Sequence, residues 1–492
     1  MWKSNGGLVP TMIKSLAVKF WRGEGGGRDV LRIALPLIIS TSAFTVQIFT
    51  DRMFLMWYSS QTISAAMYAG MLYLAITSML IGTAAYVNVF VAQYDGAGEK
   101  KQIGVAVWQG IYFSILAGVI MLAVAAISGG IVGLAGHELA IRRNEETYFR
   151  ILCLGAIPEL LNITLSCFYT GRGRTWLVMI VNSIGVLVNI VLDYALIFGN
   201  WNFPQMGIAG AGIATVISNV VSATIFLIFF FSGENRVNFG SAAGWRFERK
   251  LFARLMRFGV PSGAQFMLDV LGFAFFIAFV GRINLVSFTA TSIAFQINTL
   301  AFMPMLGFST AVSTLVGQAL GRNKPEIAQR STWSATYITI AYMTTISAGY
   351  WFFPDIFLYP FTLGTNAAEF EAIRPVAAHL LCFVAIYSLF DTGNIIFSAA
   401  LKGAGDTRFV MFASLALNWL LLVIPSYAAI KLRGGIDGLY LAWTAMTIYV
   451  SAIATVLFVR FLGGKWKQMR VIEAMPAEIK RPVPGLPALS GE

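Results

Sequence analysis

Charge is scarce in this chain. Only 12% of its 492 residues are Asp, Glu, Lys or Arg, against about 25% in an ordinary soluble protein. The chain is 57% hydrophobic with a mean hydropathy of +0.72, so most of it must face lipid or a core embedded in lipid. No gap between the apolar runs is large enough for a soluble domain. Cysteine is almost missing. Cys153, Cys167 and Cys382 all lie inside apolar segments, which excludes a disulfide framework and leaves them as small buried hydrophobes. Histidine is rarer still: His137 and His379 stand near segment ends, with no second ligand at metal-binding spacing. No cofactor is expected. Paired aspartates at the spacing that holds magnesium and diphosphate are also absent, which argues against an intramembrane prenyl-diphosphate transferase.

What is present is a series of runs about 20 apolar residues long, the length of a membrane-spanning helix. They fall near 33–57, 63–92, 104–132, 147–169, 175–199, 207–232, 254–281, 285–317, 330–353, 373–401, 408–430 and 437–462. Several exceed 25 residues, which calls for tilt or extension beyond the bilayer. A net charge of +12 would suggest nucleic acid in a soluble protein; here the placement of the charges matters more. With the N-terminus cytoplasmic, 27 of the 35 Lys and Arg fall in inside segments. This agrees with the positive-inside rule and an even number of spans, both termini being cytoplasmic. Residues 11–22 place Ile13, Leu16, Ala17 and Phe20 on one helical face, as in an interfacial helix. The C-terminal stretch carries Pro476, Pro482, Pro484 and Pro487 and reads as a disordered tail.

The two halves repeat. "LRIALP" (31–36) matches "MRFGVP" (256–261) at an offset of 225. The same offset pairs Gly82 with Gly307, Val91 with Val316, Gln93 with Gln318, Gly96 with Gly321 and Trp108 with Trp333. "GRGRT" (171–175) matches "GAGDT" (403–407), and "GIAG" (207–210) matches "GIDG" (435–438). Six spans per repeat is an even number, so both halves cross the membrane in the same sense. The expected fold is an all-α polytopic membrane protein of twelve transmembrane helices in two parallel six-helix repeats. Its parts are an N-terminal segment (1–28), a first lobe (29–235), a linker (236–253), a second lobe (254–464) and a tail (465–492). A duplicated chain of this kind is a transporter far more often than a channel or an enzyme.

A carboxylate in a membrane span is costly and functional by default. Asp51 lies in the outer part of span 1, Asn189 and Asp193 share a face of span 5, and Thr215 lies in span 6. This all-oxygen set suits a hard cation or a shared proton; an ordinary polar cluster is the other reading, and Arg52 could neutralise Asp51. In the second half, Asp269 lies near the middle of span 7 and Asp391 near the middle of span 10, with Tyr387 one turn before it. Two carboxylates brought together in a low-dielectric cleft repel, which favours uptake of a proton or of sodium. Glu159, after Pro158, is either a further candidate or a kink residue with a local partner. Asp355, Glu369, Glu371 and Asp437 read as solvated loop residues. Spans 7 and 8 are dense in aromatic and sulfur side chains. Phe266, Met267, Phe273 and Met303 are candidate contacts for an organic cation, although packing or lipid contact explains any one of them.

These residues resemble the multidrug and toxic compound extrusion (MATE) transporters, in particular the bacterial NorM-like branch, over nearly the whole chain. The likeness rests on "ALP" and "GVP" opening the halves, "VAQYDGAG" (91–98), "VGQALGR" (316–322) and "YSLFDTGNIIFSAALKGAGD" (387–406). It implies two lobes forming a V. It also implies a first-lobe cation site at Asp51, Asn189, Asp193 and Thr215, and a second-lobe site at Asp269, Tyr387 and Asp391. Lys402, 11 residues after Asp391, stands where that branch has a basic residue. Arg52 replaces a usually uncharged neighbour, and Asp269 a usual glutamate. The expected protein is a cation-coupled (Na+ or H+) antiporter exporting organic cations or amphipathic drugs. It would be a multi-pass monomer in the inner (plasma) membrane with no nucleic-acid partner, no enzymatic activity and no metal beyond transported sodium. A lipid-linked oligosaccharide flippase of the same wider superfamily is the alternative; it would need a cationic cleft.

Overall fold

The computed structural model describes residues 21–133, 136–362 and 367–473. The expected interfacial helix and the proline-rich end of the tail lie outside these residues, apart from residues 21 and 22. Among the described residues, twelve long helical elements follow one another. They are α1 Gly27–Tyr58, α2 Ser60–Ala97, α3 Lys100–Ala126, α4 Leu139–Leu154 with Ala156–Thr170, α5 Thr175–Phe198 and α6 Ile208–Phe230. The second half holds α7 Arg249–Val280, α8 Leu285–Gly321, α9 Pro325–Phe352, α10 Ala367–Ala404, α11 Thr407–Arg433 and α12 Gly435–Leu462. No strand occurs among the described residues. Ten of these elements are long and apolar enough to cross a membrane, and the bent pair in α4 makes an eleventh. The twelfth, α9, has the length but is rich in Ser and Thr. Three of its hydroxyls bond backward along the helix, Thr332 to the Ala328 carbonyl at 2.9 Å, Thr339 to Ala335 at 2.7 Å and Thr345 to Ala341 at 3.0 Å. They therefore need no water.

Local irregularities have chemical causes. The 45° bend in α4 falls at Gly155, where Pro158 leaves the Leu154 carbonyl without its helical donor. In α11 the segment Asn418–Val423 widens into a π-turn ahead of Pro425, a device common near functional sites. Gly98 and Gly199 stop α2 and α5 in the left-handed conformation, with φ of 79° and 75°, which glycine adopts without steric cost. Large apolar side chains such as Phe49, Leu187 and Leu420 remain exposed on the helix surfaces.

The halves meet along α2 against α7 and α1 against α8, and the contacts obey the 225-residue offset. A Cβ on Gly82 would lie 2.7 Å from the Gly263 Cα, and one on Gly307 would lie 2.7 Å from Ile38. A Cβ on Gly96 would overlap the Gln318 carbonyl oxygen, and one on Gly321 the Gln93 carbonyl oxygen. Two reciprocal hydrogen bonds complete this seam: Gln93 Nε2 donates to the Gly403 carbonyl and Gln318 Nε2 to the Gly171 carbonyl, each at 3.0 Å. Asn88 adds a bond to Thr314 Oγ1 at 3.0 Å. All these contacts sit toward one end of the molecule, the end carrying the loops near residues 98, 172, 322 and 405. One apolar core runs through this seam, and a second cluster, including Phe54, Leu55, Met121 and Phe149, fills the far end of the first half.

The linker packs against the first half, and the start of the tail differs from its sequence reading. The expected linker is packed: Trp108 Nε1 donates to the Ser241 carbonyl at 2.7 Å, and the Gly104 N–H to the Phe239 carbonyl at 3.1 Å. The expected tail begins as folded structure. Lys465–Gln468 form a 3-10 turn, Trp466 stacks on Phe461 at 4.9 Å, and Val471 and Ile472 are buried. The apolar side chains of this stretch dock before the proline-rich part starts.

The glycine contacts lead to a stability prediction. Gly96→Ala or Gly321→Ala should destabilise the protein by about 1–3 kcal/mol through overpacking. Gly70→Ala, whose Cβ would meet nothing within 4 Å, should leave the melting temperature unchanged or slightly raised. Thermal unfolding of the three purified variants in detergent checks this.

Candidate coupling sites in the two halves

In the first half, α1, α4, α5 and α6 converge on a polar cluster. Asn189 and Asp193 are completely buried, one turn apart on α5. With its amide nitrogen turned to the carboxylate, Asn189 donates to Asp193 Oδ2 at 3.1 Å and accepts the Thr215 N–H at 3.3 Å. The Thr215 hydroxyl bonds back to the Ala211 carbonyl at 3.1 Å. Asp51 on α1 is within electrostatic reach of Asp193. The four expected residues therefore come together. Each of Asp51 and Asp193 keeps one buried carboxylate oxygen, Oδ1, without a hydrogen-bond partner among the described residues. An unsatisfied buried carboxylate oxygen is expensive, and a proton or a hard cation would satisfy it.

Arg52 is exposed and attracts Asp51 electrostatically, but no ion pair within 4 Å joins them among the described residues. It balances charge from the side and leaves the free Asp51 oxygen in place. Two neighbours escaped the sequence reading. Gln47, one turn before Asp51, lies 3.1 Å from the Asn189 amide, and the buried Tyr148 of α4 lies near both carboxylates. The i−4 spacing of Gln47 was a usable signal; Tyr148 comes from another helix and gave none. Glu159 has its partner on another helix: the Tyr73 hydroxyl of α2 donates to its Oε2.

In the second half, Asp269 of α7 and Asp391 of α10 are within electrostatic reach of each other. Asn394 Nδ2 donates to Asp391 Oδ1 at 3.0 Å. Gln265, one turn before Asp269, donates its amide N–H to Asp269 Oδ2 and accepts from Lys402 Nζ at 3.0 Å. Tyr387 joins the group near Asp391, but its hydroxyl accepts from Asn298 Nδ2 at 3.0 Å. Ser388 then donates to Asn298 Oδ1 at 3.3 Å. Tyr449 of α12 stands near both aspartates. Asn418, which opens the π-turn of α11, donates to the Leu268 carbonyl at 3.2 Å and fills the space a Cβ on Gly272 would need. The expected trio is therefore assembled, with Gln265, Asn298, Asn394, Lys402 and Tyr449 as unassigned members. Lys402 had a readable signal. Eleven residues make three helical turns, which puts it on the face of Asp391.

The four candidate substrate contacts are spread out. Phe273 packs on Phe295 at 4.6 Å within the second half, Phe266 lies against Gly82 at the seam, and the Met303 carbonyl accepts the Thr41 hydroxyl at 3.2 Å. Met267 is half-buried. His137 is bound to the buried Glu145 at 2.6 Å, and the His379 ring lies 4.5 Å from that of Tyr440, tilted by 49°. Asp355 pairs with Arg374 at 2.8 Å, and this hydrogen bond holds its carboxyl below the usual carboxylate range. No group of three His, Cys, Asp or Glu suited to a metal occurs among the described residues. Both clusters instead offer carboxylate, amide and hydroxyl oxygens.

The sequence pattern of the MatE family matches residues 36–195 and 261–428. The two blocks begin at Pro36 and Pro261, the offset that relates the halves. A probable multidrug resistance protein NorM of Thermotoga maritima is 25% identical over 452 residues, covering 90% of this chain and 94% of the relative. A protein of the same description from Mesorhizobium japonicum is 25% identical over 445 residues, covering 90% and 94%. A solved structure of a MOP superfamily transporter from Pyrococcus furiosus superposes with a TM-score of 0.82 at 19% identity, over 92% of this chain and 99% of that one. With the family pattern on both repeats and the twelve-helix architecture in place, this chain belongs to the MatE family of multi-pass membrane transporters.

Proposed function

We propose that the protein is a cation-coupled antiporter that exports organic cations or amphipathic drugs by alternating access. The observation that carries this reading is the pair of neighbouring carboxylates in each half, beyond a seam that joins the halves toward one end. Like charges that share a low-dielectric site repel, and coupling free energies between sites are typically about 1–3 kcal/mol. Loading one proton or sodium ion relieves the repulsion, so a cation with different affinity for the two lobe arrangements biases their equilibrium. The names of the NorM relatives support drugs as substrates.

The positive-inside rule supports placing the seam on the cytoplasmic side, because the basic loops, including Lys100, Lys101, Arg172, Arg322 and Lys324, lie at that end. The described arrangement is then outward-open. A flippase for pyrophosphate-linked lipids fits less well. The acidic residues of both clusters are only partly neutralised, and Lys402 is already engaged by Gln265.

Asp391→Asn should fold normally and lose at least about tenfold of gradient-driven transport, read in proteoliposomes with sodium and pH gradients imposed separately. Undiminished drug efflux would reject the role of Asp391. The same assay on Asp193→Asn should show a loss of at least about tenfold; a wild-type rate would confine coupling to the second half.

A further inference from the structure

We propose that Lys402 is a tethered internal cation that competes with the coupling ion for Asp269 and is geared to the seam between the halves. This rests on the reading of Asp269 and Asp391 as the ion-accepting pair. Lys402 lies in the last turn of α10, about 16 Å along the axis from Asp391. Helical side chains lean toward the N-terminus, so its stem runs back toward the carboxylates. Its Nζ donates to Gln265 Oε1 at 3.0 Å, and the Gln265 amide N–H donates to Asp269. The ammonium and the Asp269 carboxylate attract one another, yet no carboxylate oxygen lies within 4 Å of Nζ among the described residues. Lys402 thus acts on Asp269 through a polar relay, a loose engagement that an incoming cation can displace. The titratable or charged groups around this relay are Asp269 from α7, Asp391 and Tyr387 from α10, and Tyr449 from α12.

The main chain of the same residue is held by the other half. The Tyr86 hydroxyl, from the break in α2, donates to the Lys402 carbonyl at 2.8 Å, and Gln93 donates to the next carbonyl, Gly403, at 3.0 Å. Both carbonyls are among the last four of α10, and that of Lys402 also accepts the Gly405 N–H at 3.1 Å. Parting the halves at this end must break both bonds and release the turn that carries the lysine. The closed seam therefore keeps Lys402 on the relay. By reciprocity, a cation that displaces Lys402 from the relay loosens the seam. Uptake of the ion at Asp269 and opening at the opposite end become one linked equilibrium.

The test is the half-saturating concentration of the driving cation, sodium or proton, in reconstituted wild type, Lys402→Gln, Lys402→Arg and Tyr86→Phe. Removing the competing charge in Lys402→Gln should lower that concentration at least about tenfold, whereas Lys402→Arg should return it toward the wild-type value. Tyr86→Phe leaves the side-chain relay in place but frees the turn, and should lower it by a smaller factor. A lysine that only supports the fold would reduce the maximal rate and leave half-saturation where it was. An unshifted or raised half-saturation in folded Lys402→Gln would overturn the proposal. If that variant fails to fold, an unshifted Tyr86→Phe would do so. Asp391→Asn is measured alongside. Coupled transport surviving in Asp391→Asn defeats the underlying site assignment, whereas its loss with no shift in Lys402→Gln defeats this inference alone.

Discussion

Close backbone approach between the two halves is the constraint on which the rest of the molecule depends. Gly96 and Gly321 let each half press a helix against the Gln318 and Gln93 carbonyls of the other. At that distance each buried glutamine reaches a carbonyl in the opposing Gly-rich turn. A polar side chain buried at a seam is tolerable only if its hydrogen bonds are made. The contact is therefore favourable in one register and costly in every other. Such a joint has discrete states, which a transporter that alternates between two arrangements requires.

The acidic clusters lie beyond this joint, and their incomplete satisfaction is in keeping with reversible loading. In the seam the buried amides are paired. In the first-half cluster, by contrast, Asp51 and Asp193 retain free oxygens. In the second-half cluster, Asp269 and Asp391 are held by amides, with a lysine reaching only as far as Gln265. Full ion pairing would have made the carboxylates inert. Amide partners hold their geometry while leaving charge to be neutralised from outside the fold.

Much of this was legible from the sequence. The spans follow from hydropathy, and even α9, rich in Ser and Thr, is recognisable by length. The offset of 225 residues announces two parallel units, and the costly aspartates stand out against an apolar background. What could not be read was which residues on different helices would meet. Tyr148, Asn298 and Tyr449 reach the clusters from neighbouring helices, and single-chain periodicity does not report how one helix is rotated against another. Gln93 and Gln318 were visible as matched letters, but their reciprocal bonding exists only once both halves are folded. The tail reads as disordered throughout because proline-rich composition at its end masks the short apolar stretch around Trp466 and Val471, which docks.

That docked stretch has a consequence for assembly. The Val471 N–H donates to Gln93 Oε1 at 2.9 Å, and Glu473 pairs with Arg254 of α7 at 2.8 Å. The side chain of Gln93 therefore has its donor used by Gly403 and its acceptor used by a residue that follows all twelve helices. During synthesis α2 enters the membrane nearly four hundred residues before that partner leaves the ribosome. The joint between the halves can be completed only after the last span is in place, so the order of the chain itself delays that joint until both halves exist.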